Sequence, residues 1–531
     1  MADTKREIER KFEFTARAGA AHPGADAPGP GADRARLPDL TAVPGIAAVE
    51  DRGAVDLDAV YYDTPDLRLD ADSLTLRRRT GGADAGWHLK FPVAPGVRDE
   101  VRAPLADTVP PALSALLRSR VRDAQLVPVV RLLSSRDVQH LLAEDGTLLA
   151  ELSIDTVRAE GLRAGSRATT WTEIEVELAD GVQDESLLDG VADQLRTAGV
   201  EPATSTSKVA RALRETAPPG PDGAARTAGA DEPAEGTAGA HVLAYLRAQR
   251  DALVALDPAV RREVPDSVHR MRVATRRLRS AFRTYAKVVD RAVTDPIGAE
   301  LKWLAAELGV DRDQEVLTER LRDRLDALPA PLLLGPVRAR LRIRTAVRRT
   351  GSRRRITAVL DSRRHLALLD ALDTLLADPP LRPAAERPAA GVLARAVLKD
   401  HRRLARRVAA ALDLAPGHDR DLALHRARKA AKRARYAAEA AAPALGGPAR
   451  KLAKRLKAVQ NVLGDHQDGV VAREALRTLA AQADVAGESA FTWGLLYGQE
   501  QASAARRESE LPGVWARARR PKPLRRLRAA R

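Results

Sequence analysis

EIERKFEF (7–14) and EIEVEL (173–178) decide how the first part of the chain folds. Both stretches alternate in type at every residue. Side chains two apart on a strand share a face. Glu7, Glu9 and Lys11 therefore point one way, and Ile8, Arg10 and Phe12 the other. In the second stretch Glu173, Glu175 and Glu177 point one way, and Ile174, Val176 and Leu178 the other. Three glutamates on one strand face repel one another across steps of about 7 Å. They stand if water solvates them, or if a cation sits among them.

Further short segments lie between these two: LDAVYYDT (57–64), SLTLRRR (73–79), GWHLKFPV (86–93), RDEVRAPL (98–105) and GTLLAELSIDTV (146–157). Pro/Gly or Asp-rich breaks separate them, which predicts an antiparallel barrel or sandwich. Helical patches intervene at PPALSALLRSRV (110–121) and DESLLDGVADQLRTAG (184–199). The alternation puts Arg77 with Arg79, His88 with Lys90, and Glu100 with Arg102. It also groups Glu151, Ser153 and Asp155. A single charged strand face is ordinarily wet. Six such strands, with acids concentrated on the first and last, fit a polar lumen with a carboxylate floor and cationic walls. That layout suits a hard divalent cation bridging carboxylates and phosphate oxygens.

The chain of 531 residues carries 88 Lys+Arg against 72 Asp+Glu, a formal charge of +16. The charge is split. Residues 1–240 hold 28 basic and 40 acidic side chains, and 241–531 hold 60 and 32. An acidic front precedes a basic back, which points to two domains and an anion near the second. The absence of cysteine excludes disulfides, zinc ribbons, iron–sulfur clusters and thiol nucleophiles. No run approaches the length of a membrane span. MADTKREIERKF lacks an apolar signal core, so the expected compartment is the cytoplasm. Residues 19–33 read as a disordered loop and 216–240 as a flexible linker. The expected division is 1–215, 216–240 and 241–531.

From 241 onward the apolar period becomes 3.6, with interruptions expected at prolines such as Pro258 and Pro296. This reads as an all-α domain of roughly eight to ten helices. It repeats itself. VHRMRVATRRLRSAFRTY (268–285) resembles LHRARKAAKRARYAAEA (424–440), and each is followed by LG-x3-D. His269, Arg272, Arg276, Arg279 and Arg283 share one helix face, as do His425, Arg428, Lys432 and Arg435. A like-charge ladder destabilises an isolated helix, and a bound anion relieves it. Sparse aromatics and the lack of a nucleic-acid motif argue against a nucleic-acid partner.

The front half resembles the CYTH proteins, the triphosphate tunnel metalloenzymes, over about residues 5–213. EIERK, YYDTPDLRL, LTLRRR, HLKFP, RDEVRAPL, EIEVEL and the late SKVARAL (207–213) occur in that family's order. The resemblance implies an eight-stranded antiparallel barrel that binds a triphosphate with Mg²⁺ or Mn²⁺ in its lumen. It implies metal ligation by Glu7, Glu9, Glu173 and Glu175, with Asp155 as a further ligand and Glu177 assisting. Lys11, Arg77, Arg79, Lys90, Arg131 and Lys208 would hold phosphate oxygens. Glu7, Glu9, Lys11, Lys90, Glu100 and Arg102 form the implied catalytic set, with Glu100 and Arg102 ordering the lumen. One stretch departs from the family pattern. In PVVRLLSSR (128–136) Leu132 and Leu133 follow Arg131, and the next basic residue is Arg136.

The back half, about 241–520, resembles the CHAD domain through the two H-x2-R-x3-[RK]-x2-R stripes and the LG-x3-D segments (Leu308, Gly309, Asp313; Leu463, Gly464, Asp468). That resemblance implies two pseudo-symmetric four-helix bundles. It implies a basic groove for inorganic polyphosphate, contacted by Arg272, Arg276, Arg279, Arg428, Lys432 and Arg435, with polyphosphate granules as a setting. The combined expectation is an α+β, multidomain hydrolase of inorganic triphosphate or short polyphosphate. A catalytically inactive polyphosphate-binding protein is the main alternative, and a nucleotidyl cyclase a weaker one.

Overall fold

The computed structural model describes residues 3–14, 37–218 and 233–529, except the side chains of 310–314 and 344–352. The 19–33 stretch and the middle of the expected linker, 219–232, lie outside the described residues. The chain divides into two compact units, Met1–Ala225 and Arg226–Arg531.

In the first unit nine strands form one antiparallel sheet: β1 (Asp3–Phe14), β2 (Ala48–Asp63), β3 (Thr75–Thr80), β4 (Gly86–Ala94), β5 (Val97–Ala103), β6 (Val127–Leu142), β7 (Leu148–Gly161), β8 (Ala168–Leu178) and β9 (Val200–Pro202). Their order is β5-β4-β3-β2-β6-β7-β8-β1-β9, and β5 also pairs with β1. That last pairing closes an eight-stranded ring, Asp3 opposite Arg102 through Ile8 opposite Val97. The short β9 extends the far end of β1.

The alternation read from the sequence sorts the two faces of the ring. Among the described residues of this unit are four α-helices, α1 (Arg68–Ala71), α2 (Pro111–Val121), α3 (Ser186–Thr197) and α4 (Lys208–Glu215), and a 3-10 turn at Leu40–Ala42. Outward-facing Phe12, Ile154, Ile174 and Val176 pack with Leu188, Val191 and Leu195 of α3. Leu76, Leu89 and Val101 pack with Leu113, Leu116 and Leu117 of α2. Each buried leucine contributes about 2 kcal/mol. Much of the apolar mass therefore lies outside the ring; on the inner face Leu132, Val157 and Trp171 pack with Val209 and Ala212 of α4, and charged alternate positions fall to the rest of the lumen. The β4–β5 turn is held against β1. The Glu9 N–H donates to the Gly96 carbonyl at 2.8 Å. Gly96 has φ +71, and a Cβ there would stand 2.8 Å from the Glu9 carbonyl oxygen, so only glycine allows this approach.

The second unit is helical: α5 (Ala238–Arg261), α6 (Ser267–Thr284), α7 (Arg291–Glu307), α8 (Gly309–Asp326), α9 (Val337–Asp361), α10 (Arg363–Ala377), α11 (Ala389–Leu412), α12 (His418–Ala440), α13 (Ala442–Leu445), α14 (Gly447–Val485), α15 (Phe491–Ala518) and α16 (Pro521–Ala529). Short segments raise the helix number above that read from periodicity. Pro258 and Pro296 lie inside α5 and α7 rather than breaking them. Each proline removes one backbone donor, and burial of Thr294 and Ile297 beside Pro296 carries α7 through.

The stretch expected as linker is ordered at its end. The Thr237 hydroxyl accepts from the Ala240 N–H, and Ala238 is fully buried. Its polar composition concealed a helix cap. The duplication is visible in the elements: α5, α6 and α7/α8 correspond to α11, α12 and α14. The first LG segment sits at a break between α7 and α8. The second lies inside one 39-residue helix. Among the described residues no helix is long and apolar enough to cross a membrane.

Candidate functional site

The lumen gathers its carboxylates around one ammonium group. Lys208 opens α4, whose Ser207 cap accepts from the Ala210 N–H at 3.1 Å. Its Nζ stands 2.9 Å from Asp155 Oδ2, 2.8 Å from Glu173 Oε1 and 2.6 Å from Glu175 Oε1. Arg136 grips the same group from β6, donating to both Asp155 oxygens and to Glu175 Oε2, each at 2.8 Å. Lys11 is bonded to Glu175 and lies 3.4 Å from Glu9. The Trp171 indole N–H donates to Glu173 at 2.6 Å.

A second cluster faces it from β3, β4 and β5. Glu100 is fully buried. It is bonded to Arg102, receives His88 Nδ1 at 2.8 Å, and lies 3.7 Å from Lys90 and 3.9 Å from Arg77. Lys90 is also 2.6 Å from Glu7. Arg79 is bonded to Asp84, whose carbonyl meets His88 Nε2 at 2.9 Å. Arg98 joins the clusters, 3.7 Å from Glu9.

These contacts divide the acids. Burial alone would raise Glu9, but Lys11, Lys90 and Arg98 hold it well below the usual carboxylate range. Asp155 is likewise held down, against its burial, by Arg136 and Lys208. Glu100 is held down, against burial, by His88, Lys90 and Arg77. Glu7 goes the other way, raised by burial and by Glu100 and Glu177. Burial, with Lys208 and Arg98, brings Lys11 down to about 8 against the pull of Glu9. Burial takes His88 down to about 4, against the pull of its Glu100 hydrogen bond.

The structure thus brings Glu7, Glu9, Lys11, Arg77, Arg79, Lys90, Glu100, Arg102, Asp155, Glu173, Glu175 and Lys208 into one lumen. Two expectations are corrected. Arg131 is on the outer face, bound to Asp58 at 2.9 and 2.6 Å. Arg136 lies five positions further along, an odd step, so strand parity puts the two on opposite faces. Glu177 stands apart from the carboxylates around Lys208, paired with Lys5 at 2.9 Å. The lumen also recruits Arg98, Arg136, His88 and Tyr61, whose hydroxyl meets Arg77 at 3.5 Å. The signal for Arg98 was present in the sequence: it shares the parity of Glu100 and Arg102.

Asp155, Glu173 and Glu175 offer hard oxygen donors converging on one cationic point, with Glu9 beside them through Lys11. Such oxygens are the hard donors that a hard divalent cation takes.

In the helical unit the two basic stripes meet. Arg272 Nη2 lies 2.9 Å from the position a Cβ on Gly309 would take, and Arg428 Nε lies 3.8 Å from the matching position on Gly464. Each copy therefore lays its first stripe arginine over the glycine of its LG segment. Burial, with Arg428 and Arg276, brings Lys432 down to about 7; Asp468 opposes this and Arg272 adds to it. Residues of both stripes thus surround Lys432. Arg428 is 3.6 Å from Asp468. His425 Nδ1 meets Gln467 Oε1 at 2.6 Å, and burial and Lys429 lower its proton affinity. Burial and Arg283 lower that of Arg279. Arg435 pairs with Glu439 at 3.2 Å and lies over the Tyr436 ring. Arg283 is exposed at the end of its stripe, and His269 is half-buried at the start. The Asp313 side chain lies outside the described residues.

The CYTH domain family matches residues 47–213, and the CHAD domain family matches residues 244–477. The chain belongs to the CYTH/CHAD proteins. CYTH proteins act on triphosphates or nucleotide phosphates and depend on a metal. The CYTH match begins after β1, so Glu7, Glu9 and Lys11 enter the lumen through the pairing of β1 with β5 and β8. An uncharacterized protein of Mycobacterium tuberculosis, Rv2226, is 40% identical over 490 residues, 89% of this chain and 92% of its own. Among solved structures, PptA from Streptomyces chartreusis is 24% identical with a TM-score of 0.45, covering 53% of this chain and 99% of that one. HpAC1 from Hippeastrum, which has a dominant triphosphatase activity, is 17% identical with a TM-score of 0.24, covering 40% and 98%.

Proposed function

We propose that this CYTH/CHAD protein hydrolyses inorganic triphosphate, or a short polyphosphate end, in the barrel lumen and binds polyphosphate with its helical groove. The observation that carries the first part is the convergence of Asp155, Glu173 and Glu175 on one cationic point, beside a wall of arginines and lysines. Asp155, Glu173, Glu175 and Glu9 hold the divalent cation. When bound, Mg²⁺ or Mn²⁺ supplies Lewis-acid stabilisation at phosphoryl oxygens.

Lys11, Arg77, Arg79, Lys90, Arg136 and Lys208 grip the triphosphate oxygens and neutralise charge that develops as water attacks in line. Glu7, raised by burial and by neighbouring acids, is the carboxylate suited to take the proton of that water. His88 and Arg102 keep Glu100 fixed between Lys90 and Arg77. In the helical unit, Arg272, Arg276, Arg428 and Lys432 bind polyphosphate through charge-assisted hydrogen bonds. Association with polyphosphate granules follows from that binding.

The test is phosphate release from tripolyphosphate with Mg²⁺ or Mn²⁺, compared with Glu7→Ala. The expected result is metal-dependent release by the wild type and loss in the variant. A second reading, a binding protein without hydrolysis, is favoured by Arg131 lying outside the barrel, which leaves β6 with Arg136 alone of that pair. Wild-type silence with both metals, alongside retention on polyphosphate, would select it.

A further inference from the structure

Lysines and arginines accumulate a second time in the helical unit, away from the duplicated stripes. Residues 391–412, 445–464 and 511–529 contain eighteen of them and one acid, Asp400. Asp400 is buried and bonded to Thr284 and Arg433. The three segments meet in space. α16 buries Pro523, Leu524 and Leu527, the leucines joining the core that holds Leu452 and Leu456 of α14. Arg455 of α14 donates to the Arg520 carbonyl at 3.5 Å. His401 of α11 stacks on Trp515 of α15 with centroids 5.5 Å apart, and Arg528 of α16 is close enough to add to the burial that lowers His401 to about 4.

What remains outward is positive. Arg403, Arg406, Lys454, Arg525, Arg526 and Arg528 are exposed or nearly so. None of them is paired with a carboxylate among the described residues. Some exposed arginines elsewhere in this unit are neutralised, as Arg364 is by Glu300 and Arg355 by Glu307. The patch also continues from the stripes. Arg433 of α12 is flanked by Arg403 from the patch and by Arg283 from the end of the first stripe. Part of it, α16 and the end of α15, lies beyond the CHAD match at 244–477.

We propose that this surface is a second anion site, which takes the length of a polyphosphate chain that overhangs the stripe groove, so that the unit selects long chains over short ones. The proposal rests on the groove reading above. Polyphosphate suits the patch because it is flexible, has charge at every unit and has no bases to stack. The one large aromatic side chain here, Trp515, is buried beneath His401, so single-stranded nucleic acid finds no stacking platform.

The experiment measures binding of a short oligophosphate and of long-chain polyphosphate to the full chain by fluorescence anisotropy across a salt series. Wild type binds the long chain more tightly. A variant combining R403A, R406A, R525A, R526A and R528A loses roughly 10- to 100-fold of long-chain affinity at low salt and shows a shallower salt slope. Its oligophosphate affinity and its melting temperature stay at the wild-type values. R276A/K432A weakens both lengths together. Equal long-chain affinity in the patch variant overturns the proposal. So does duplex DNA binding tighter than polyphosphate at matched salt and dependent on the same five residues. Wild type that binds neither length defeats the groove reading itself, and is recognised by the absence of any R276A/K432A effect.

Discussion

Lys208, buried in the barrel, and Lys432, half-buried in the helical unit, are ammonium groups in opposite company. Lys208 meets three carboxylates within 2.9 Å. Lys432 meets Arg428, Arg276 and Arg272, with Asp468 as the counterweight. The first lysine sits where negative charge is assembled, the proposed place of a cation. The second sits where positive charge is assembled, the proposed place of an anion. Burial is common to both, so neighbours decide what each pocket accepts.

The contrast breaks first at Glu175, which touches Lys208, Arg136 and Lys11 at once. Glu175→Ala should lower tripolyphosphate hydrolysis by about 10²- to 10³-fold while leaving polyphosphate retention intact; hydrolysis at the wild-type rate would refute the lumen as the active site. On the other side, Arg276→Ala with Lys432→Ala should weaken polyphosphate binding about 10- to 100-fold without touching hydrolysis. Equilibrium titration of both variants checks that independence.

A smaller effect follows from pH. Lys432 is charged below about 7 and neutral above it, and an anion prefers the charged form. Polyphosphate affinity should therefore fall about three- to tenfold as pH rises from below 7 to about 9. Lys432→Arg should flatten that limb. Without ligand the sign reverses: the unfolded lysine keeps its proton up to its ordinary value of 10.5, so the helical unit gains stability as pH rises between about 7 and that value. Thermal melts across this range test the direction. The smallest expected effect is that of Arg131→Ala. An exposed ion pair with Asp58 outside the ring should leave hydrolysis within about twofold of wild type, whereas Arg136→Ala should not.

Much of the lumen was legible because strands encode faces with a period of two. Glu7 with Glu9, Arg77 with Arg79, and Glu173 with Glu175 follow from counting alone. The same rule, applied to Arg131 and Arg136, already placed them on opposite faces, but family expectation favoured the wrong one. His88 and Arg98 were legible as lumen-facing and not as partners, since which carboxylate they meet depends on how β4, β5 and β1 align across the ring. In the helical unit the stripes were readable, while their convergence on Lys432 required two helices distant in sequence. The patch on α11, α14 and α16 was hidden for the same reason: three separate basic runs look like ordinary solvated helix faces until packing joins them.

The paired stripes have a consequence for self-association. The proposed groove draws one stripe from each copy of the repeat, so on that reading half of the unit carries half of a site. A half-unit on its own would have to find a twin, and its affinity would vary with its own concentration. Fusion into one chain sets a fixed effective concentration instead. It also lets the halves drift apart: one keeps arginine at 276 and a helix break at Leu308, while the other has lysine at 432 and an unbroken 39-residue helix. The fused chain can therefore carry a proton-sensitive group on one side of its groove, an asymmetry that a symmetric pair of identical halves cannot have.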